Sequence, residues 1–197
     1  MKSNTYKEYI APVVVLVAIC LVVSAALALT YGVANPIIVK NAKANADKAR
    51  VELLSDAKGE GFEQVKGTLA KDGQVQVTEC YKAKNQAGAV MMVQTPSFGG
   101  ALTMMVGINK DGEVTGVKVM SHSDTPGVGT KNWDGNNIVT AYEKNKDGKK
   151  VTEADFKQST VKKSSISYIS GASVSGNALY LGVKVALKQF SDMGGVK

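Results

Sequence analysis

"ALTMMVGINKDGEVTGVKVM", residues 101–120, decides the fold of this chain. Two runs, 101–108 and 113–120, alternate apolar and polar side chains, as a half-buried strand does. Between them stands Asn109-Lys110-Asp111-Gly112, a quartet whose Asn, Asp and Gly suit the tight backbone of a hairpin. The stretch therefore reads as two antiparallel strands joined by a turn. Upstream, "QVQVTECY" (74–81) and "AVMMVQT" (89–95) carry the same alternation, which extends the pattern to an antiparallel sheet.

Around these strands the periodicity changes to that of helices. From Pro36, apolar residues recur at Ile38, Ala42, Ala46, Ala49 and Leu53 with charged residues between them, and Gly59 and Gly61 stop the run. A final helix is expected from about Ser173 to Ser191, with Asn177, Lys184, Lys188 and Ser191 on a polar stripe and Gly194-Gly195 after it. Residues 121–137, "SHSDTPGVGTKNWDGNN", break both periods and read as a loop. A lysine-rich segment, Lys144 to Lys163, holds a short helix at Glu153–Lys157, and its charge reads as a solvated face. The soluble part is thus α+β, with helices covering one face of an antiparallel sheet.

The N-terminus is different in kind. No charged residue occurs from Tyr9 to Val39, and Ile10–Thr30 is almost wholly apolar. Twenty-one helical residues measure about 31 Å, the thickness of a bilayer's hydrocarbon layer, and Tyr6, Tyr9 and Tyr31 sit where interfacial aromatics belong. A signal peptide ending near Ala26-Leu27-Ala28 is the rival, but its apolar core would be shorter. The expected organisation is a tail at 1–9, a transmembrane helix at 10–34 and one domain at 35–197. Lys2 and Lys7 precede the helix, while Lys40, Lys43, Lys48 and Arg50 follow it. That bias favours a cytoplasmic C-terminal side, which a long domain can override, so composition leaves the side open.

With 24 Lys+Arg against 17 Asp+Glu, the formal charge is +7. Nucleic acid is not expected as a partner, because no recognised motif interleaves these lysines. Cys20 and Cys80 form no disulfide framework, and the single histidine, His122, has no companion at metal-ligand spacing. Nor does the sequence contain a nucleophile–base pair, paired catalytic carboxylates or a phosphate-cradling P-loop, so no catalytic residues and no metal ligands are assigned.

One short stretch still asks for chemistry. In "SYISGASVSG" (167–176), Ser173 stands where the last helix begins, and unpaired N–H groups with the helix dipole favour an anion there. Gly171 allows close backbone approach and Ala172 leaves room, so a phosphate near Ser173 would be well placed. Equally, Ser170 or Ser173 could serve only as an N-cap, a position serine favours.

"ISGAS", the loop "SHSDTPGVGTK", the preceding "GALTMMVGINKDGEVTGVKV" and the single apolar helix together resemble the G subunit of Rnf electron-transport complexes. That family has an FMN-binding domain and is kin to the C subunit of sodium-pumping NADH:quinone oxidoreductase. The resemblance covers nearly the whole chain. It implies that a flavin transferase joins FMN, taken from FAD, by a phosphoester to the hydroxyl of Ser173. Ser170, Gly171 and Ala172 would form the attachment motif, and Asp124, Thr125 and Gly127 would border the flavin at its ring or ribityl chain. Lys131 would pair with the phosphate or stand in solvent, and Thr125-Pro126-Gly127 could equally be a tight turn and nothing more. The chain departs from the family in having serine for the acceptor threonine, Ser167 for an aspartate six residues earlier, and Asp124 for glutamate.

The resemblance further implies a covalent-FMN electron carrier in an ion-translocating ferredoxin:NAD oxidoreductase, its domain on the extracytoplasmic side of the cell membrane. Its partners would be the other membrane subunits, including a second flavin subunit and iron–sulfur subunits. Open alternatives are the same subunit of the sister quinone-reducing complex, a stand-alone extracytoplasmic flavoprotein, and a non-redox adaptor or pilin-like membrane protein. His122 is assigned no proton-transfer role, and Trp133 is expected in the core or an interface rather than on a flavin.

Overall fold

The computed structural model of the protein describes residues 9–134, 142, 151–153 and 169–196. The chain divides into two compact units between Asn45 and Ala46. Helix α1, Ala11–Leu53, contributes its first part to one and its last turns to the other. The helix does not stop at residue 34. It continues without a break through Pro36 for 43 residues, about 65 Å at the standard rise. From Tyr9 to Val39 large apolar side chains are exposed in succession, Val14, Leu21, Leu29 and Ile38 among them. An apolar helix uncovered all round is suited to lipid rather than to water.

In the second unit the expected hairpin and its neighbours form a six-stranded sheet. Its strands are β1 (Phe62–Gln64), β2 (Lys71–Asp72), β3 (Val75–Ala83), β4 (Gly88–Ser97), β5 (Gly100–Asn109) and β6 (Val114–Ser121). The spatial order is β1-β3-β4-β5-β6, antiparallel throughout, and β2 pairs with the other end of the β3 edge. β1 and β2 are too short to show a period in the sequence. The turn at Asn109 is closed by its own side chain, whose Oδ1 accepts from the N–H groups of Asp111 and Glu113 at 3.0 and 2.9 Å. Gly112 supplies the positive φ of 79° that this turn requires.

Helix α2, Ser173–Asp192, packs on one face of the sheet. Met91, Val93, Leu102, Met104 and Val106 of the sheet meet Leu179, Val183, Ala186, Leu187 and Phe190 there. The other face is covered as well, by Ala46, Ala49, Leu53, Leu54 and Ala57 against Ala83, Val90 and Met105. Helical chain therefore covers both faces of the sheet rather than one, because β4 and β5 are apolar on both sides: Val90 and Met105 face away from α2 while their neighbours face toward it.

The end of α1 is held by specific contacts. A Cβ on Gly107 would lie 2.8 Å from the carbonyl oxygen of Leu53, so only glycine allows this approach. The Thr115 hydroxyl donates to that same carbonyl, satisfying an acceptor that the helix end leaves open. Arg50 is buried, its guanidinium 3.7 Å from the centroid of the Tyr81 ring and within 3.5 Å of the Glu79 carboxylate. Cys80 is likewise buried, and burial pushes its thiol up to about 11. Val151 accepts from the Val114 N–H at 2.8 Å, and Thr152 forms an isolated bridge with Glu113. The remainder of the lysine-rich stretch, with most of the short helix expected at 153–157, lies outside the described residues, as do Tyr6 and Ser167.

Candidate flavin-binding site

Four segments distant in sequence meet at the N-terminus of α2. The first is the β4–β5 turn, Ser97 to Gly100. Gly99 lies so close to the 121–134 loop that a Cβ on it would come within 2.2 Å of the Ser123 carbonyl oxygen. The second is Asp124, which is only 3% exposed and accepts from the Ser97 hydroxyl and the Gly99 N–H. Burial by itself would raise its pKa, but the bonds from Ser97 and Gly99, with the nearby Ser175 hydroxyl and His122, outweigh that and hold it below the usual carboxylate value. Asp124 is thus turned inward as the latch between two loops, rather than presented at an open surface.

The third segment is the motif loop after Asp124. The Thr125 carbonyl accepts from the Val128 N–H at 3.1 Å, with Pro126 and Gly127 at the centre of the turn and Gly127 at φ 71°. Proline followed by a positive-φ glycine is the type II arrangement, and the turn leaves Thr125 and Gly127 exposed at its tip. The Gly127 N–H donates to the buried Thr130 hydroxyl at 2.8 Å, which closes the loop on itself. A 3-10 turn follows at Gly129–Asn132, with Lys131 on its exposed side. His122 is exposed, its ring 5.1 Å from that of Trp133, and Trp133 packs half-buried against the main core.

The fourth segment is 169–176. The Ala172 N–H bonds the Ile169 carbonyl at 2.9 Å across Ser170 and Gly171, and Gly171 has φ 81°. Among the described residues nothing lies within 4 Å of a Cβ placed on Gly171, so there its glycine serves the backbone angle rather than close packing. Ala172 takes the N-cap, no side chain among the described residues caps the helix, and its first turn has no acidic residue. Ser173 is the first helical residue and is exposed. Neither Ser170 nor Ser173 therefore acts as the N-cap, and among the described residues no side chain meets the N–H groups of this helix start, an arrangement that suits an anion.

The contacts that bind loop to helix involve residues the motif reading did not single out. A Cβ on Gly129 would lie 2.7 Å from Cβ of Asp124 and 3.3 Å from Oγ of Ser175, so its absence lets the loop and α2 close together. Asn132 is fully buried and donates through Nδ2 to the Ala172 carbonyl at 2.8 Å and to the Gly129 carbonyl at 3.4 Å. Oδ1 of Asn132 is buried and has no hydrogen-bond partner among the described residues. Of the second unit's described residues, Phe98, Val128 and Val174 are the large apolar side chains left exposed, at 78, 48 and 52%. Each adjoins one of the converging segments.

These features fit FMN. An uncapped helix start with a hydroxyl at its first residue suits a phosphate, and exposed apolar side chains beside it suit a planar ring. A hollow of about 510 Å³ elsewhere fits less well, because two of its three lysines already face acids: Lys184 lies 3.2 Å from Asp72, and Lys188 pairs with Asp192.

Comparison with known proteins points the same way. The FMN-binding domain family matches residues 97–188, a span that holds all four segments. The G subunit of the proton-translocating ferredoxin:NAD(+) oxidoreductase complex of Clostridium ljungdahlii is 26% identical over 90% of this chain and 89% of its own. The G subunit of the Na(+)-translocating ferredoxin:NAD(+) oxidoreductase complex of Acetobacterium woodii is 24% identical over 91% and 90%. The G subunit of the ion-translocating oxidoreductase complex of Methanosarcina acetivorans is 33% identical over 62% and 67%. Relatives matched over nearly the whole chain and a more identical relative matched over part of it agree, and the chain belongs to the family of G subunits of ion-translocating oxidoreductase complexes, with its FMN-binding domain.

Proposed function

We propose that this chain is the membrane-anchored, covalent-FMN electron carrier of a redox-driven, ion-translocating ferredoxin:NAD oxidoreductase. The observation that carries the reading is the state of Ser173: first residue of α2, exposed, not spent on capping, and adjacent to first-turn N–H groups that no side chain among the described residues meets. FMN, when bound, supplies the redox chemistry; the protein supplies position, electrostatics and partial shielding from water. Ser173 would carry the phosphoester through its hydroxyl, and the N–H groups of the first turn of α2 would receive the phosphate charge. Phe98, Val128 and Val174 would offer apolar contact to the ring, Thr125 and Gly127 polar contact from the loop tip, and Lys131 a positive charge on the same loop. Asp124 holds the loop in place rather than touching the flavin.

The uncovered stretch of α1 would anchor the chain in the cell membrane, with residues 10–34 in the bilayer and the domain from residue 35 on its extracytoplasmic side. Partner subunits, among them a second flavin subunit and iron–sulfur subunits, would supply the ferredoxin and NAD sites. The ferredoxin:NAD activity in the names of the two end-to-end relatives favours this reading over the quinone-reducing sister complex.

Intact mass and in-gel flavin fluorescence test it, on wild type and Ser173→Ala produced beside a flavin transferase. The expected result is an increment matching FMN on the wild type and none on the variant. An unmodified wild-type protein, with the transferase active on a known acceptor, would leave a non-redox adaptor as the better reading.

A further inference from the structure

We infer that Asn132 is the positioning residue for the flavin phosphoester: through Nδ2 it clamps the peptide plane between Ala172 and Ser173 and thereby aims the open N–H groups of α2 at the phosphate. The inference rests on Ser173 being the attachment residue.

The geometry follows from one hydrogen bond. Asn132 Nδ2 lies 2.8 Å from the carbonyl oxygen of Ala172, the carbonyl of the peptide whose N–H belongs to Ser173. A trans peptide is planar, and its C=O and N–H point in opposite directions. Holding that carbonyl toward buried Asn132 therefore turns the Ser173 N–H the other way, out past the start of the helix. The Gly176 N–H bonds the same carbonyl at 3.0 Å, so both bonds act on one plane. No side chain caps α2, which leaves Asn132 as the side chain fixing this peptide among the described residues. Its second acceptor, the Gly129 carbonyl, ties that peptide to the loop that carries Asp124.

The orientation of the amide is set by these two carbonyls. Swapping its nitrogen and oxygen would put an acceptor against acceptors. In the observed orientation Oδ1 is buried and has no partner among the described residues. A buried acceptor without a donor is unfavourable, so the side chain keeps its donor in place at a cost. Serving only as core, an apolar side chain of the same size would avoid that cost.

The step Asn132 prepares is a group transfer with no change in oxidation state. The Ser173 oxygen forms a bond to the phosphorus on the FMN side of FAD, the pyrophosphate bond to AMP breaks, AMP leaves, and the hydroxyl proton passes to solvent. Asn132 touches none of these atoms. It acts by presenting backbone donors to the phosphate that arrives on Ser173.

The test uses the full chain in detergent, loaded by a flavin transferase with FAD and followed by intact mass over time. Asn132→Leu removes the donor, and Asn132→Asp keeps the shape while losing it, carrying the test should the first not fold. Val90→Ala, buried on the opposite face of the sheet, controls for lost stability. Loading should be about tenfold slower in both Asn132 variants than in Val90→Ala, the effect of one lost hydrogen bond. In the fraction that does load, the phosphorus NMR resonance of the phosphodiester should shift in the Asn132 variants and stay put in Val90→Ala. Equal loading rates and an unmoved resonance would overturn the proposal while leaving Ser173 attachment intact. A wild type that never loads would instead remove the Ser173 reading, and this inference with it.

Discussion

Replacing Asp124 with alanine tests whether this carboxylate is a latch or a flavin ligand. It accepts from the Ser97 hydroxyl and the Gly99 N–H, and at 3% exposure it has almost no access to water. Hydrogen bonds to a charged group contribute about 1.5–3 kcal/mol each, and the desolvation of a buried carboxylate opposes them. A net loss of about 3 kcal/mol is expected, which for a unit of this size lowers Tm by roughly 6–12 °C. Thermal unfolding of the detergent-solubilised chain, followed by circular dichroism without flavin, reads this directly. Because the folded pKa lies below the unfolded value, the stabilisation is present above the unfolded value near 3.8 and is lost as pH falls from there through the folded value. The gap between wild type and Asp124→Asn should therefore be constant near neutrality and shrink below about pH 4. A gap that does not change with pH, or a flavin-free Tm loss under about 2 °C for Asp124→Ala, would refute the latch and return Asp124 to the flavin.

Two further substitutions probe the close approaches. Gly107→Ala places a Cβ 2.8 Å from the Leu53 carbonyl oxygen and should cost about 1–3 kcal/mol by forcing the end of α1 off the sheet; an unchanged denaturation midpoint would show that this contact is not tight. Gly129→Ala would drive its Cβ against that of Asp124 at 2.7 Å, with the same expected loss and, in addition, slower FMN attachment to Ser173. Normal attachment in a destabilised Gly129→Ala would separate loop closure from flavin loading.

Much of the fold was legible because it rests on local periodicity. The alternation in 101–120 and the Asn109 turn specify a hairpin wherever they occur, and the uncharged run from Tyr9 to Val39 specifies an apolar helix. The Ser173 helix start and the Thr125-Pro126-Gly127 turn could be placed for the same reason, since both depend on residues adjacent in sequence. The covering of the second sheet face by Ala46, Ala49 and Leu53 could not, because alternating strands show that a face is apolar and not what covers it. Nor could the inward turn of Asp124, which depends on Ser97 and Gly99 some 25 residues away in the chain. Gly129 and Asn132 look like ordinary loop residues until α2 is packed beside them. Sequence alone therefore determined a helix start suited to an anion, a matter of chemical type and local backbone angle, and motifs whose family resemblance names the flavin candidates. Which of those candidates stand exposed and which are buried holding the others in place was decided by tertiary packing, because a hydrogen bond such as that from Asn132 to Ala172 forms only when segments 40 residues apart come within 2.8 Å.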